Sequence, residues 1–397
     1  MAEPLPDADA LLSALAALRS RVVLVSTGGG SRAVSHLLST PGASAVVLEC
    51  LVPYARAAVD GLLGGAQESY CSSRTARRLA VMAWQRACRL GADPETAMGA
   101  AVTASLRSRE PKRGPHRIFV AVQSLAATSV ATLELRKESR SRGEEETLAA
   151  ALLLDRLATV AREAGGGPEP EPLPLLDGER VVVESCAPPE PWRDLLAGSR
   201  ASVRIGDPGR PTSGGPAADA ATIPVAGRLV FPGSFDPLHE GHLRMAVIAE
   251  EIAERPIDFE LSVTNVDKPA LDYLEMRDRA AQFTGRTLWL TRAATFLEKL
   301  EVFPESTFVM GADTFARLAD PKYYGGSAEA TARAVQRIAA EARGLIVFGR
   351  EHDGVFEDPS RLDLPPALGG VTYFVSQREF RMDISSTQLR RTRAEDD

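Results

Sequence analysis

Two histidines three positions apart, His239 and His242, fall in the stretch FPGSFDPLHEGH and are two of only five in the chain. At a helix start, imidazoles at this spacing can each direct a ring nitrogen at a phosphate oxygen. The neighbouring residues suit that chemistry. Gly233 permits close backbone approach to a ligand, Pro237 stiffens the turn, and Gly241 opens a helix whose amides favour an anion. Ser234 and Phe235 complete the turn as candidate ligand contacts. In-line substitution at phosphorus needs positioning and charge stabilisation, with no protein nucleophile. The alternative is structural, with His239 capping a turn and His242 packing. A second stretch, ISSTQLR, sets Ser385, Ser386 and Thr387 at the start of a terminal helix with Arg390 on the same helix. Hydroxyls and amides there can cradle phosphate, and Arg390 can pair with it, although the same residues also make a plain helix cap.

These residues need elements to position them. After Ala226, strand-like and helical runs alternate: LVF, a helix from Gly241, FELSV, a helix through Met276, LWLT, a helix from Thr295, TFVMG, an Ala-rich helix ending near Arg343, LIVFG, TYFV and a helix from Ser385. Such alternation predicts an α/β fold, an open and mostly parallel sheet with helices on both faces, whose ligands sit beyond the carboxyl ends of the strands. His239 and His242 fall at the end of its first strand. Earlier in the chain VVLV, AVVL and RIFVAV alternate with helical runs such as SRTARRLAVMAWQRACRL from Ser73, a second α/β region. Two Pro- and Gly-rich breaks, Gly165 to Glu179 and Gly206 to Ala221, separate the regions. The expected organisation is therefore two domains, 1–165 and 227–397, joined by a linker over 166–226 that carries a short α/β piece too small for its own core.

With 397 residues the chain is long enough for two cores. Its hydrophobic content of 44% and charged content of 25% are those of a globular protein, and no apolar run is long enough to span a membrane. The acidic start MAEPLPDADALLSALAALRS lacks the bases of a secretory signal and reads as the first helix of a cytoplasmic protein. A net charge of -7 argues against general nucleic-acid binding, because phosphate neutralisation needs a basic surface. Cys50, Cys71, Cys88 and Cys186 are scattered and signal neither a zinc site nor a disulfide framework. No protein-held metal is expected from the motifs.

Gly233, Phe235, Pro237, His239, Gly241 and His242 together resemble the G-x-F-x-P-x-H-x-G-H signature of the nucleotidyltransferase superfamily, and Ile384 to Arg390 resembles its I-S-S-T-x-x-R. The resemblance extends over about 227–393. It implies a Rossmann-like open parallel sheet and adenylyl transfer from ATP, with Mg2+ on the phosphates and pyrophosphate leaving. It also favours ATP over CTP, because cytidylyltransferases of the superfamily usually differ in the C-terminal motif. His239, His242, Lys268 and Arg390 are then the expected catalytic residues.

Three further stretches bear on the acceptor. NVDKPALDYLEMRDRAA resembles a segment of bacterial adenylyltransferases in which a Lys and a following Arg meet phosphate; Lys268 and Arg277 match. FVMGADTFARLAD is similar to the G-A-D segment of nicotinate and nicotinamide mononucleotide adenylyltransferases, which implies that Gly311 and Asp313 lie along the adenosine. LIVFGRE resembles a late strand of the same enzymes, making Arg350 a nucleotide contact, although Lys268 and Arg350 read equally as solvated surface. A Trp that usually stacks on the pyridine is replaced by Tyr323 and Tyr324. A pyridine mononucleotide is the expected acceptor, with phosphopantetheine or a non-catalytic nucleotide-binding regulator as alternatives.

Residues 19 to 165 resemble the CinA C-terminal family, which includes nicotinamide-nucleotide amidases, and this implies an α/β CinA C-terminal-like domain. The resemblance runs through Ser26 to Ser44, Val52 to Gly64, Ser72 to Ala83 and the strand from Arg117. Amidase chemistry needs an activated hydroxyl. Val25 stands at the nucleophile's position and Val59 at that of its Lys, so this half is expected to be a degenerate amidase-like domain that binds a nucleotide, regulates or forms a homo-oligomer. Gly28 to Gly30 read either as a phosphate cradle or as a tight turn.

Overall fold

Valine- and alanine-rich runs form the sheet of the first half of the chain, and runs rich in leucine, valine and phenylalanine form that of the second. The structure is a computed structural model that describes residues 5–206, 225–352, 355–357, 365–377 and 380. It consists of two units, Met1–Pro189 with Asp267–Glu275, and Glu190–Val266 with Met276–Asp397.

The first unit runs α1 (Ala8–Ala17), β1 (Arg21–Thr27), α2 (Ser31–Leu38), α3 (Ala43–Val46), β2 (Val47–Leu51), α4 (Arg56–Leu63), α5 (Ser73–Arg89), β3 (Ala97–Ser105), β4 (His116–Gln123), β5 (Thr128–Leu135), α6 (Arg142–Glu163) and β6 (Val181–Cys186). Its strands are ordered β2-β1-β3-β4-β5-β6. The β1–β2 and β1–β3 pairs are parallel, whereas β4 pairs antiparallel with β3 and β5, and β6 antiparallel with β5. Ser141 accepts the Glu144 amide while Glu144 accepts that of Ser141, a capping box that starts α6. Leu148, Leu152 and Leu157 of this helix share a core with Val102, Val120 and Leu133 of the sheet. On the other face α5 lies so close to β3 that a Cβ on Gly99 would stand 2.0 Å from the Ala80 carbonyl oxygen. Glycine is required there by the approach of one backbone to another.

Asp267–Glu275 joins this unit through buried polar contacts. Arg77 meets Asp272 at 2.6 Å, Arg74 meets Glu275 at 2.9 Å, and the Tyr273 hydroxyl donates to the Leu125 carbonyl at 2.9 Å. Residues 166–226, expected as a linker with a short α/β piece, divide between the units. Leu173 and Leu175 pack on the first core and β6 extends the first sheet, whereas the helix at Glu190 and the strand at Ser202 belong to the second unit; 207–224 lie outside the described residues.

The second unit runs α7 (Glu190–Ala197), β7 (Ser202–Ile205), β8 (Leu229–Pro232), α8 (Glu240–Ala253), β9 (Ile257–Ser262), α9 (Tyr273–Ala280, entering at Met276), β10 (Leu288–Thr291), α10 (Phe296–Val302), β11 (Thr307–Gly311), α11 (Ala312–Arg317), α12 (Ala328–Glu341), β12 (Gly344–Phe348), β13 (Arg350–His352), β14 (Val355–Glu357), α13 (Pro366–Gly369) and β15 (Thr372–Val375). The main sheet is ordered β15-β12-β11-β8-β9-β10-β7 and is parallel except for β7, which runs antiparallel to β10. Both faces are covered. Val230, Phe308 and Met310 meet Leu300 of α10 and Val335 and Ile338 of α12, while Phe231 and Phe259 pack on the opposite face with Phe235, Phe283 and His242. The α/β sheet with helices on both faces matches the alternation read from the sequence. Among the described residues no helix is long and apolar enough to cross a membrane.

Glu179, in the first Pro/Gly-rich stretch, is buried against Arg140 at 2.6 Å and accepts the Leu176 and Arg136 amides. Burial alone raises its carboxyl, but the Arg140 and amide hydrogen bonds more than offset this and hold it below the ordinary carboxylate range. Its contribution is full above pH 5 and is lost as pH falls through the lowered value. Replacing Arg140 by Met leaves a buried carboxylate without its cation and is expected to destabilise the first unit by about 3 kcal/mol, read by urea denaturation at pH 7.

Candidate active site

Strand order in the second unit reverses at β8: β9 and β10 lie to one side of it, β11, β12 and β15 to the other. Pairing of β8 with β11 covers only Leu229 with Thr307 and Val230 with Phe308, whereas β8 and β9 stay paired through Pro232. Beyond Val230 and Phe308 the two central strands part, and the crevice outside their carboxyl ends is where this class of sheet binds ligands. Gly233 to His242 leave one lip, and Gly311 to Asp313 the other.

The turn between β8 and α8 is built around a buried phenyl ring. Phe235 has a φ of 44°, and a Cβ on Gly233 would stand 2.6 Å from its ring, so only glycine leaves room for it. The ring meets Phe231, Phe259, Phe283 and His242 edge-on, with centroids 5.2 to 5.5 Å away. From there the chain passes through the cis Asp236–Pro237 bond to His239, the N-cap of α8 in extended conformation.

The two imidazoles stack with centroids 3.7 Å apart and planes inclined by 22°. The His239 backbone N–H donates to His242 Nδ1 at 3.3 Å. That bond needs an unprotonated Nδ1, so the proton of neutral His242 sits on Nε2 and is available as a donor. His239 Nδ1 is buried and has no hydrogen-bond partner among the described residues. Burial pushes the His242 pKa down to about 3, with a smaller contribution from the neighbouring His239, and burial lowers His239 as well. Both rings are therefore neutral at pH 7. With the Glu240 and Gly241 amides at the start of α8, the His242 amide donating to the His239 carbonyl at 2.9 Å, they form a donor set suited to a phosphate chain.

One segment holds this turn. Arg279 donates to the Ser234 carbonyl at 2.9 Å and lies 3.5 Å from the Asp236 carboxylate. Gln282 accepts the Leu238 amide at 2.8 Å and donates to the Phe235 carbonyl at 3.2 Å. The sequence pattern singles out Arg277 instead, which is exposed and paired with Asp278 at 2.7 Å. No local sequence signal separates Arg279 and Gln282 from Arg277; only their contacts with the turn identify them.

Gly233, Ser234, Phe235, His239, Gly241 and His242 thus come together in one turn. Gly311 is the N-cap of α11, with open space where a Cβ would stand, and Asp313 is exposed in the first turn. Lys268 is exposed and belongs, with Asp267–Glu275, to the first unit. Arg350 begins β13. Ser385, Ser386, Thr387 and Arg390 lie outside the described residues. Tyr324 donates its hydroxyl to the Leu318 carbonyl at 3.0 Å, and Lys322 stands over the Tyr323 ring at 5.8 Å. Among the described residues no three His, Cys, Asp or Glu side chains converge as a metal site.

In the first unit a cavity of about 310 Å³ is lined by Ser26, Gly28, Gly29, Arg32, Tyr54 and Arg142, among others. The Gly-rich turn beside it is already occupied: Glu146 accepts the Gly30 amide at 2.9 Å, the Ser31 hydroxyl at 2.8 Å and the Arg32 amide at 3.3 Å. A carboxylate of the chain itself therefore fills the position read as a phosphate cradle. Ser26 donates to the Gly29 carbonyl, and Val25 and Val59 are buried core residues.

Residues 230–392 match the family of cytidylyltransferase-like proteins. The C-terminal region is a cytidylyltransferase-like domain, and the match supports nucleotidyltransferase activity in general. Among solved structures the chain is similar to the competence/damage inducible protein CihA of Agrobacterium tumefaciens, with 20% identity over 40% of this chain and 99% of that one and a TM-score of 0.32. It is also similar to CinA superfamily proteins of Klebsiella pneumoniae, with 15% identity over 39% and 96% and a TM-score of 0.32, and of Escherichia coli, with 17% identity over 41% and 94% and a TM-score of 0.30. No curated protein matches the chain.

Half-buried neutral histidines leave a pH signature. Unfolding returns both rings to a pKa near 6.5, so the unfolded chain binds more protons below that value. Stability is expected to fall as pH drops from about 6.5 toward 3 and to be insensitive to these rings above that window. His242→Gln should flatten the slope, and in an NMR titration the His242 ring should stay neutral down to at least about pH 5.

Proposed function

We propose that the second unit transfers AMP from ATP to a phosphate monoester, with nicotinamide or nicotinate mononucleotide as the acceptor. The observation that carries this reading is the stacked pair of neutral imidazoles at the amino end of α8, in the crevice where β8 and β11 part. An acceptor phosphate oxygen attacks the α-phosphorus of ATP, the bond from that phosphorus to the bridging oxygen breaks, and pyrophosphate leaves with the electron pair. No protein nucleophile and no proton transfer are needed. Negative charge grows on the α-phosphoryl and bridging oxygens, and Nε2–H of His242, the His239 ring and the α8 amides meet it as fixed donors.

Mg2+ would enter on the triphosphate, as that ion prefers phosphate oxygens and water to an all-protein cage, and would neutralise phosphate charge. In this reading Ser385 to Thr387 and Arg390 hold the leaving phosphates, while Gly311 and Asp313 border the adenosine. Arg350 is a further nucleotide contact. No hydrolytic step is assigned to the first unit, since Val25 and Val59 stand where the amidase resemblance puts the nucleophile and its Lys.

Purified protein with Mg2+ and ATP is expected to release pyrophosphate and form a dinucleotide from one of the two mononucleotides, measured by chromatography. Turnover only with 4'-phosphopantetheine would keep adenylyl transfer and replace the acceptor. Tight ATP binding without pyrophosphate release for any of the three would overturn the reading in favour of a regulatory nucleotide-binding protein.

A further inference from the structure

Building on the proposed transferase reading, we infer that Arg279 and Gln282 are positioning residues, a two-residue clamp that sets the histidine-bearing turn in its reactive geometry. Four groups of the turn are taken: the Ser234 carbonyl and Asp236 carboxylate by Arg279, and the Phe235 carbonyl and Leu238 amide by Gln282. The Gln282 amide faces a donor with its oxygen and an acceptor with its nitrogen, so its orientation is fixed by partners of opposite kind. Leu238 immediately precedes His239. Holding the Leu238 amide therefore places the start of α8, the His239 N–H that His242 Nδ1 accepts, and through that bond the tautomer of His242.

Neither clamp residue touches the stacked imidazoles through any of these contacts, so their influence on the chemistry runs through the backbone between Ser234 and His239. The turn has reason to need such a clamp. It carries a non-glycine residue at a φ of 44°, with its side chain wedged under Gly233, a conformation that surrounding contacts must enforce. A displacement of the reacting donors by about 1 Å is enough to lose about 100-fold in rate.

Gln282→Glu is the sharpest test, because the carboxylate keeps an acceptor for Leu238 N–H but offers no donor to the Phe235 carbonyl. The expected result is a fall in kcat of about 10- to 100-fold with KM for ATP within about threefold, together with changed ring 15N shifts of His239 and His242 in the protein without ATP. Arg279→Ala should behave likewise, and Arg279→Lys should recover part of the loss, since it restores one donor and the charge facing Asp236. Thermal denaturation identifies variants that fail to fold, and for these the glutamate variant and the lysine rescue carry the test.

Retained kcat within twofold in Gln282→Glu and Arg279→Ala, or a loss of kcat with unchanged histidine 15N shifts, would overturn the clamp. If the wild-type protein forms no dinucleotide at all, the transferase reading fails while the 15N comparison still decides the clamp. Altered shifts then support it, and unaltered shifts sink it.

Discussion

A parallel sheet that winds outward in two directions cannot keep its central strands paired to their ends. In the second unit the reversal falls at β8, and after two paired residues β8 and β11 separate. The gap is a consequence of topology, independent of any side chain, and it exposes the amino end of α8 on one lip and the start of α11 on the other. Everything proposed for this unit depends on that opening, because it turns a strand-to-helix turn into a place where a nucleotide can meet backbone amides and imidazole rings together.

Desolvation then decides what the imidazoles can do. A histidine in water near neutral pH is partly cationic, and a cation would attract phosphate more strongly in the ground state. Here the phenyl rings of Phe231 and Phe235 wall in His242, and burial holds both histidines neutral. A neutral ring with its proton on Nε2 is a directional donor. It needs no reorganisation as charge develops, and it is worth more where water is excluded. The same aromatic cluster ties the site to the core of the sheet through Phe259, so the donor set rests on packing.

Much of the fold was legible from periodicity. Ser73 as a helix start, the strands from Leu229, Phe259, Leu288, Thr307, Leu345 and Thr372, and the Ala-rich helix ending near Arg343 correspond closely to the elements observed. What sequence could not supply was long-range pairing. The antiparallel ladders of the first sheet, the separation of β6 and β7 into different sheets, and the grouping of Asp267–Glu275 with the first unit depend on partners far along the chain. The same holds for side chains. His239 and His242 announce themselves by spacing, but Arg279 and Gln282 become visible only when their distance from Ser234 to Leu238 is known, and Glu146 lies more than a hundred residues from the glycines whose turn it fills.

The proposed role of His242 is to stabilise charge that develops at phosphorus, with little contribution to holding ATP beforehand. Its most direct test compares turnover with binding in His242→Gln, using ATP and whichever mononucleotide the wild-type protein adenylylates. Stabilisation confined to the transition state predicts a kcat lower by about 100-fold or more and a Kd for ATP, measured calorimetrically, within about threefold of wild type. A variant that turns over at the wild-type rate, or one whose loss appears entirely as weaker ATP binding with kcat unchanged, would contradict the account.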